Sequence, residues 1–252
     1  MTASRRLIGL SYSPWTEKAR WALDHRHVAY AYEEYVPMLG EPLLRARTRT
    51  LRGRVSVPVL LEDGEAYTDS FEIAQRADAL GRGPSLFPEG TLEAIRTWNE
   101  RAEHLSSAGR ALLLARMADD REAQRESLPA WIPGALRGLA TPLAATAVGF
   151  LARKYGATAR TRADVEETMR EALHALRGAL QERTTILERF TYADVVMAVA
   201  LQLVKPVAER FIALGPATRR AWTHEPFAAQ FGDLLAWRDA LYERERVPRD
   251  PG

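Results

Sequence analysis

The chain has 252 residues, 46% hydrophobic and 27% charged, a globular composition able to bury a core in one large domain or two small ones. Its 35 Lys plus Arg nearly balance 33 Asp plus Glu, and a formal charge of +2 is too small for a dedicated nucleic-acid binder. With no cysteine there is no disulfide, thiolate nucleophile, CxxC redox pair or Cys-ligated zinc.

The start, Met1 to Arg6, leads into only four apolar or small residues, Leu7 to Leu10. A secretory signal needs an apolar run of about 7–15, so a cytoplasmic protein is expected. Arg6 to Leu10 reads as a short strand. Pro14 to Arg26 reads as a helix, with Pro14 at its first position and Ser13 as a natural N-cap. His27 to Val36 alternates aromatic and β-branched residues, which predicts a strand. Pro42 to Arg49 is a short helix. Val57 to Leu61 and Glu65 to Thr68 flank Asp63-Gly64, a hairpin signal. Ser70 to Leu80 is helical, with Ile73, Ala74, Ala77 and Leu80 on one face.

The order β-α-β-α-β-β-α argues for an α/β sheet layer packed by helices. The turn-rich segment 82–90 reads as a linker, which divides the chain into 1–81 and 91–252. The second part carries helical periodicity throughout. Leu92, Ile95, Trp98, Ala102 and Leu105 form one stripe, and Val165, Met169, Leu173, Leu176 and Leu180 another. Residues 139–151 are apolar but interrupted by Pro142 and Gly149, too short for the ~20 residues of a membrane span. They are expected to form a buried or pocket-lining helix. Ala193 to Val204 is apolar almost all round, which predicts a fully buried helix. Asp233 to Glu245 is the last predicted helix.

Four local signals carry chemistry or capping. Ser11-Tyr12-Ser13-Pro14-Trp15-Thr16 joins the first strand to the first helix, and a helix N-terminus favours an anion. Val57-Pro58 opens the third strand, where a proline has no N–H for the ladder. Asp69-Ser70 opens the next helix, with Ser70 a good N-cap. Thr191-x-x-Asp194 has the spacing of a capping box. No Gly-rich phosphate loop and no Gly-x-Ser-x-Gly elbow is present. His25, His27, His104, His174 and His224 show no metal-ligand spacing, so no metal is predicted.

Taken together, these residues resemble a cytosolic glutathione S-transferase over about 6–245. The resemblance implies a thioredoxin-like α/β N-terminal domain and an all-helical C-terminal domain. It further implies a glutathione site with a serine-type hydroxyl, Ser13, in the slot where thioredoxins carry CxxC. Ser11 and Tyr12 are rivals, because classes of the family place the hydroxyl at different offsets. A hydrogen bond to a charged group contributes about 1.5–3 kcal/mol, enough to lower a thiol pKa of ~8.5 by roughly one to two units. The resemblance implies that Pro58 is cis and that the Val57 N–H and C=O pair with the cysteinyl backbone of glutathione. Asp69 would meet the ammonium, and Ser70 the carboxylate, of the γ-glutamyl end.

Trp15 belongs to the implied glutathione site. Arg45, Arg47, Arg49, Arg52 and Arg54 lie where the family grips the glycyl end, with Arg52 and Arg54 as the named candidates; the residues before Pro58 depart from the commoner Lys-Val-Pro pattern. Residues 98–155 are the implied wall of a pocket for an electrophilic apolar co-substrate, with Trp98 and His104 as candidates and Trp131 a further aromatic. A homodimer acting in detoxification, with no nucleic-acid or membrane partner, completes the expectation. The alternatives are a non-catalytic relative that binds or regulates, and a glutathione-dependent isomerase, peroxidase or dehalogenase.

Overall fold

A computed structural model describes residues 5–37, 39–128, 133, 137–154 and 161–246. Strand β1 (Arg5–Gly9) buries Leu7 and Ile8 and leads into helix α1 (Pro14–His25). Pro14 sits in the first turn of α1, where its missing N–H costs nothing. Strand β2 (Ala31–Glu34) is shorter than the run from His27 to Val36 suggested. The reason is local: His27 adopts a left-handed φ of 54°, and the Val28 N–H still bonds to the Leu23 carbonyl, so α1 unwinds through this stretch. Helix α2 (Glu41–Thr48) ends on Arg49, also left-handed at φ 52°. Strand β3 (Val59–Glu62) begins after the cis Val57–Pro58 bond, and strand β4 (Glu65–Tyr67) follows a tight turn. That turn has positive φ at both Asp63 and Gly64, as a two-residue hairpin requires.

The sheet order is β2-β1-β3-β4, with β1 parallel to β2 and antiparallel to β3. Helix α3 (Ser70–Leu80) packs on α1 and buries Ile73, Ala74 and Ala77. On the sheet, Ile8, Leu44, Val55 and Val59 form one cluster that Tyr35 and Val57 join. This is the α/β layer that the order of elements predicted, in the thioredoxin-like arrangement that the resemblance implied.

Helices α4 (Leu92–Asp119), α5 (Arg121–Glu126), α6 (Arg137–Lys154) and α7 (Arg162–Ala179) follow. The α7 stripe of Val165, Met169, Leu173 and Leu176 is buried, as its spacing required. Helix α6 departs from expectation: Ala144 and Val148 are buried, but Pro142, Ala145 and Thr146 are exposed. Among the described residues of α6, burial is therefore greatest along one face. Helix α8 (Tyr192–Ala200) is buried on every side and tightens into a 3₁₀ turn at Leu201–Leu203, inside the span read as one helix. Helices α9 (Pro216–Trp222) and α10 (Glu225–Gln230) are short and were not predicted; α11 (Gly232–Glu245) was. Pro216 and Pro226 each stand in a first turn, and both helices are too short for periodicity to reveal.

Two compact units emerge that are not continuous in sequence. One gathers residues 1–99, 185–199 and 241–252, and the other residues 100–184 and 200–240. In the first, Trp21 of α1 meets the Tyr242 ring edge-on at 4.5 Å, and the Tyr192 hydroxyl donates to the Ser70 carbonyl at 3.1 Å. In the second, Leu113, Leu114, Met117, Val148, Leu203 and Trp222 share a core cluster. Among the described residues no helix is long and apolar enough to cross a membrane.

Candidate active site

The sheet register brings the sequence motifs to one end of the sheet. Ile8 pairs with Val59 and Leu60 with Tyr67, so the end of β1, the start of β3 and the end of β4 lie at the same end of the sheet. Neighbouring strands are ~4.8 Å apart, which puts the backbones after β1 and β4 about 10 Å from each other. The turn after β1, the cis Val57–Pro58 bond and Asp69-Ser70 all belong to this end. Val57 lies beyond the last register pair, with its side chain held in the sheet cluster.

Three hydroxyls compete at the turn before α1, and the structure separates them. Ser13 is the N-cap of α1, with extended backbone (φ −73°, ψ 129°) and only 8% of its surface exposed, yet its side chain makes no capping hydrogen bond. Ser11 is exposed and committed elsewhere: its N–H and hydroxyl both donate to Glu34 Oε1, at 3.1 and 3.3 Å. Tyr12 is exposed and has an interaction of its own. Trp15 is half-buried, with the Lys18 ammonium 5.8 Å from its ring centre.

Sequence reasoning missed the residue that shapes this turn. The Leu10 N–H donates to Thr16 Oγ1 at 3.2 Å, and the Ser13 N–H donates to the Leu10 carbonyl at 2.9 Å. Thr16 sits so close to the end of β1 that a Cβ on Gly9 would stand 2.3 Å from its Cγ2. The Gly9–Thr16 spacing was the signal available in the sequence. It marks a close backbone approach only once the helix is known to fold back on the strand.

At the second helix N-terminus the cap is one residue earlier than the sequence suggested. Asp69, not Ser70, caps α3: its Oδ1 accepts from the Phe71 N–H at 2.8 Å and from the Glu72 N–H at 3.2 Å. Asp69 is exposed, while Ser70 is buried as the first residue of the helix. The physical reason is the extended backbone of Asp69 (φ −115°, ψ 137°), the conformation an N-cap takes.

The five arginines between 45 and 54 divide by partner. Arg45 bonds to Glu41 and to the Gly53 carbonyl, both at 2.9 Å, and Arg47 pairs with Glu33 at 2.5 Å. Burial raises the Glu33 carboxyl, but hydrogen bonds from Arg6 and Arg47 outweigh it and hold the group below its usual range. Arg49, Arg52 and Arg54 are exposed, and none forms an ion pair among the described residues.

The remaining candidates are on or near α4. Trp98 is half-buried and His104 exposed. Six residues of helix turn them about 120° apart around the axis, so they face different ways. Trp131 lies outside the described residues. Among the described residues no cluster of His, Asp or Glu is placed to hold a metal ion.

The Thr191–Asp194 signal is a folding device. Asp194 is fully buried; its carboxylate accepts from the Thr191 and Ile186 N–H groups at 2.8 and 2.7 Å, and from the Thr191 hydroxyl at 3.3 Å. Burial pushes its carboxyl up to about 6 despite these bonds.

Comparison with known proteins bears on this site. The family model for the glutathione S-transferase N-terminal domain matches residues 12–80. A probable glutathione S-transferase of Solanum tuberosum is 29% identical over 108 residues, 42% of this chain and 48% of the relative. One of Nicotiana tabacum is 33% identical over 101 residues, 39% of this chain and 44% of the relative. The chain thus spans about half the length of the curated relatives it matches. Among solved structures, a glutathione S-transferase from Methylobacillus flagellatus, determined with glutathione bound, aligns over 96% of both chains at a TM-score of 0.62 and 18% identity. At that identity the likeness shows the fold.

Proposed function

We propose that this chain, whose residues 12–80 match the family model for the glutathione S-transferase N-terminal domain, binds glutathione at the end of the sheet described above and activates its thiol. The activated thiolate attacks an electrophilic, largely apolar co-substrate. The observation that carries this reading is the Ser13 hydroxyl, which stands at the α1 N-terminus without a capping hydrogen bond. A hydroxyl that neither caps nor pairs has its proton available for a thiolate. The rival Ser11 has spent its donor on Glu34. Arg52 and Arg54 suit the glycyl carboxylate for the same reason, since Arg45 and Arg47 already hold acids. Asp69 keeps Oδ2 outside its two capping bonds, which suits it to the ammonium of the γ-glutamyl group.

The wider reading is a cytoplasmic homodimer with a glutathione domain at 1–81, a linker at 82–90 and a helical domain at 91–252. Trp98 and His104 are the candidates for the co-substrate wall. What supports serine-type transfer over thiol–disulfide chemistry is the absence of any cysteine from the sequence.

The test is titration of glutathione into wild type and Ser13→Ala, with the bound thiol followed by thiolate absorbance. The bound thiol pKa is expected one to two units below the ~8.5 of a free thiol in wild type, and back near it in Ser13→Ala. Binding with no difference between the two moves activation to Tyr12 or Ser11. No binding at all overturns the transferase reading and leaves a non-catalytic relative.

A further inference from the structure

Far from Ser13 in sequence, one cation is sunk beside the helix that carries it. Arg246 is 5% exposed, and its Nε donates to Glu17 Oε1 at 2.8 Å while its Nη1 donates to Asp24 Oδ2 at 2.8 Å. Glu17 is 1% exposed and belongs to the first turn of α1, where its N–H bonds to the Ser13 carbonyl at 2.9 Å. Four residues along a helix is one turn, so the Glu17 carboxylate lies on the Ser13 face. Other charged and titratable groups face the cluster as well. Arg20 Nη1 stands 4.0 Å from Glu17 Oε2, with its guanidinium over the Tyr32 ring. The Tyr30 hydroxyl donates to Asp24 Oδ1 at 2.9 Å, and Lys18 lies over Trp15.

This arrangement is hard to account for by stability alone. A buried ion pair contributes little over a well-packed apolar pair of the same volume. Its specific effect is on charge and position. A carboxylate buried one turn from the α1 N-terminus opposes any anion formed at Ser13, because it offsets the positive potential that the helix end would otherwise offer that anion. At about 10 Å and an effective dielectric near 20, an uncompensated charge moves a pKa by roughly one unit.

We propose that Arg246 is a positioning residue for the thiolate site, holding Glu17 and cancelling its charge so that the α1 N-terminus keeps its affinity for an anion. The inference rests on the glutathione reading given above. The end of the chain thereby tunes the reactivity of a group near its start.

The experiment measures the pKa of the bound glutathione thiol in wild type, Arg246→Met, Glu17→Gln and the double variant. Arg246→Met raises it by about one unit, Glu17→Gln lowers it, and the double variant returns it toward wild type. Arg246→Lys keeps the charge and restores most of the effect. A role confined to folding changes melting temperature in these variants and leaves the thiol unmoved, which overturns the proposal. If Arg246→Met does not fold, Glu17→Gln decides: a thiol pKa equal to wild type overturns the proposal. A wild type with no lowered thiol pKa is a separate result, the failure of the glutathione reading itself.

Discussion

At Asp69 a single carboxylate is asked to do two jobs, and chemistry separates them. One oxygen caps α3 through the Phe71 and Glu72 N–H groups. The other is the one proposed to meet the ammonium of glutathione. Asn caps helices about as well as Asp, while Ala costs about 1 kcal/mol. Asp69→Asn is therefore expected to melt like wild type but to bind glutathione about tenfold more weakly, since the charge for the ammonium is gone. Asp69→Ala loses both stability and affinity. Calorimetric titration alongside thermal melting checks the pair, and equal affinity in Asp69→Asn and wild type removes Asp69 from the site. The sequence singled out both Asp69 and Ser70 but assigned the cap to Ser70. Only the extended backbone at Asp69 settles which residue caps, and that conformation follows from how β4 hands the chain to α3.

For the elements, periodicity was read well where a helix has one wet face and less well elsewhere. The α7 stripe is plain in the sequence because each turn of the helix shows one face to the core and the opposite face to water. Its N-terminal capping box, Thr161 with Asp164, also forms. Helix α8 is buried all round, so its composition announced burial but not where the helix tightens. Its anchor is the buried Asp194, and that has a pH consequence. Burial raises the folded carboxyl from 3.8 to about 6. A folded pKa above the unfolded one means that the contribution is fully present below pH ~4 and is lost as pH rises through about 6. Chemical denaturation of wild type and Asp194→Asn should show the difference between them shifting against wild type from pH 4 to 7. A difference that stays flat over that range refutes a titrating Asp194.

The molecule as a whole gathers distant parts of the chain. The first compact unit draws 185–199 and 241–252 to residues 1–99. Trp21 packs against Phe190 and Tyr242, and Glu17 and Asp24 depend on Arg246. A fragment ending at residue 99 lacks all of these partners, leaving Glu17 buried with no guanidinium from Arg246. It is expected to unfold at markedly lower urea than the full chain, without a cooperative transition; a fragment as stable as the full chain contradicts this role for the distant segments. The cis Pro58 came from the family resemblance, while the sequence by itself determined the order of strands and helices over residues 5–80 and the motifs at the ends of those strands. These depend on propensities and caps within a few residues of each other. Only the tertiary structure decided that Ser11 is held by Glu34, that Arg47 is held by Glu33, that Thr16 closes on Gly9, and that Arg246 meets Glu17. Such pairs join residues up to 229 positions apart, and no local pattern encodes which charge will find which partner once the core has formed.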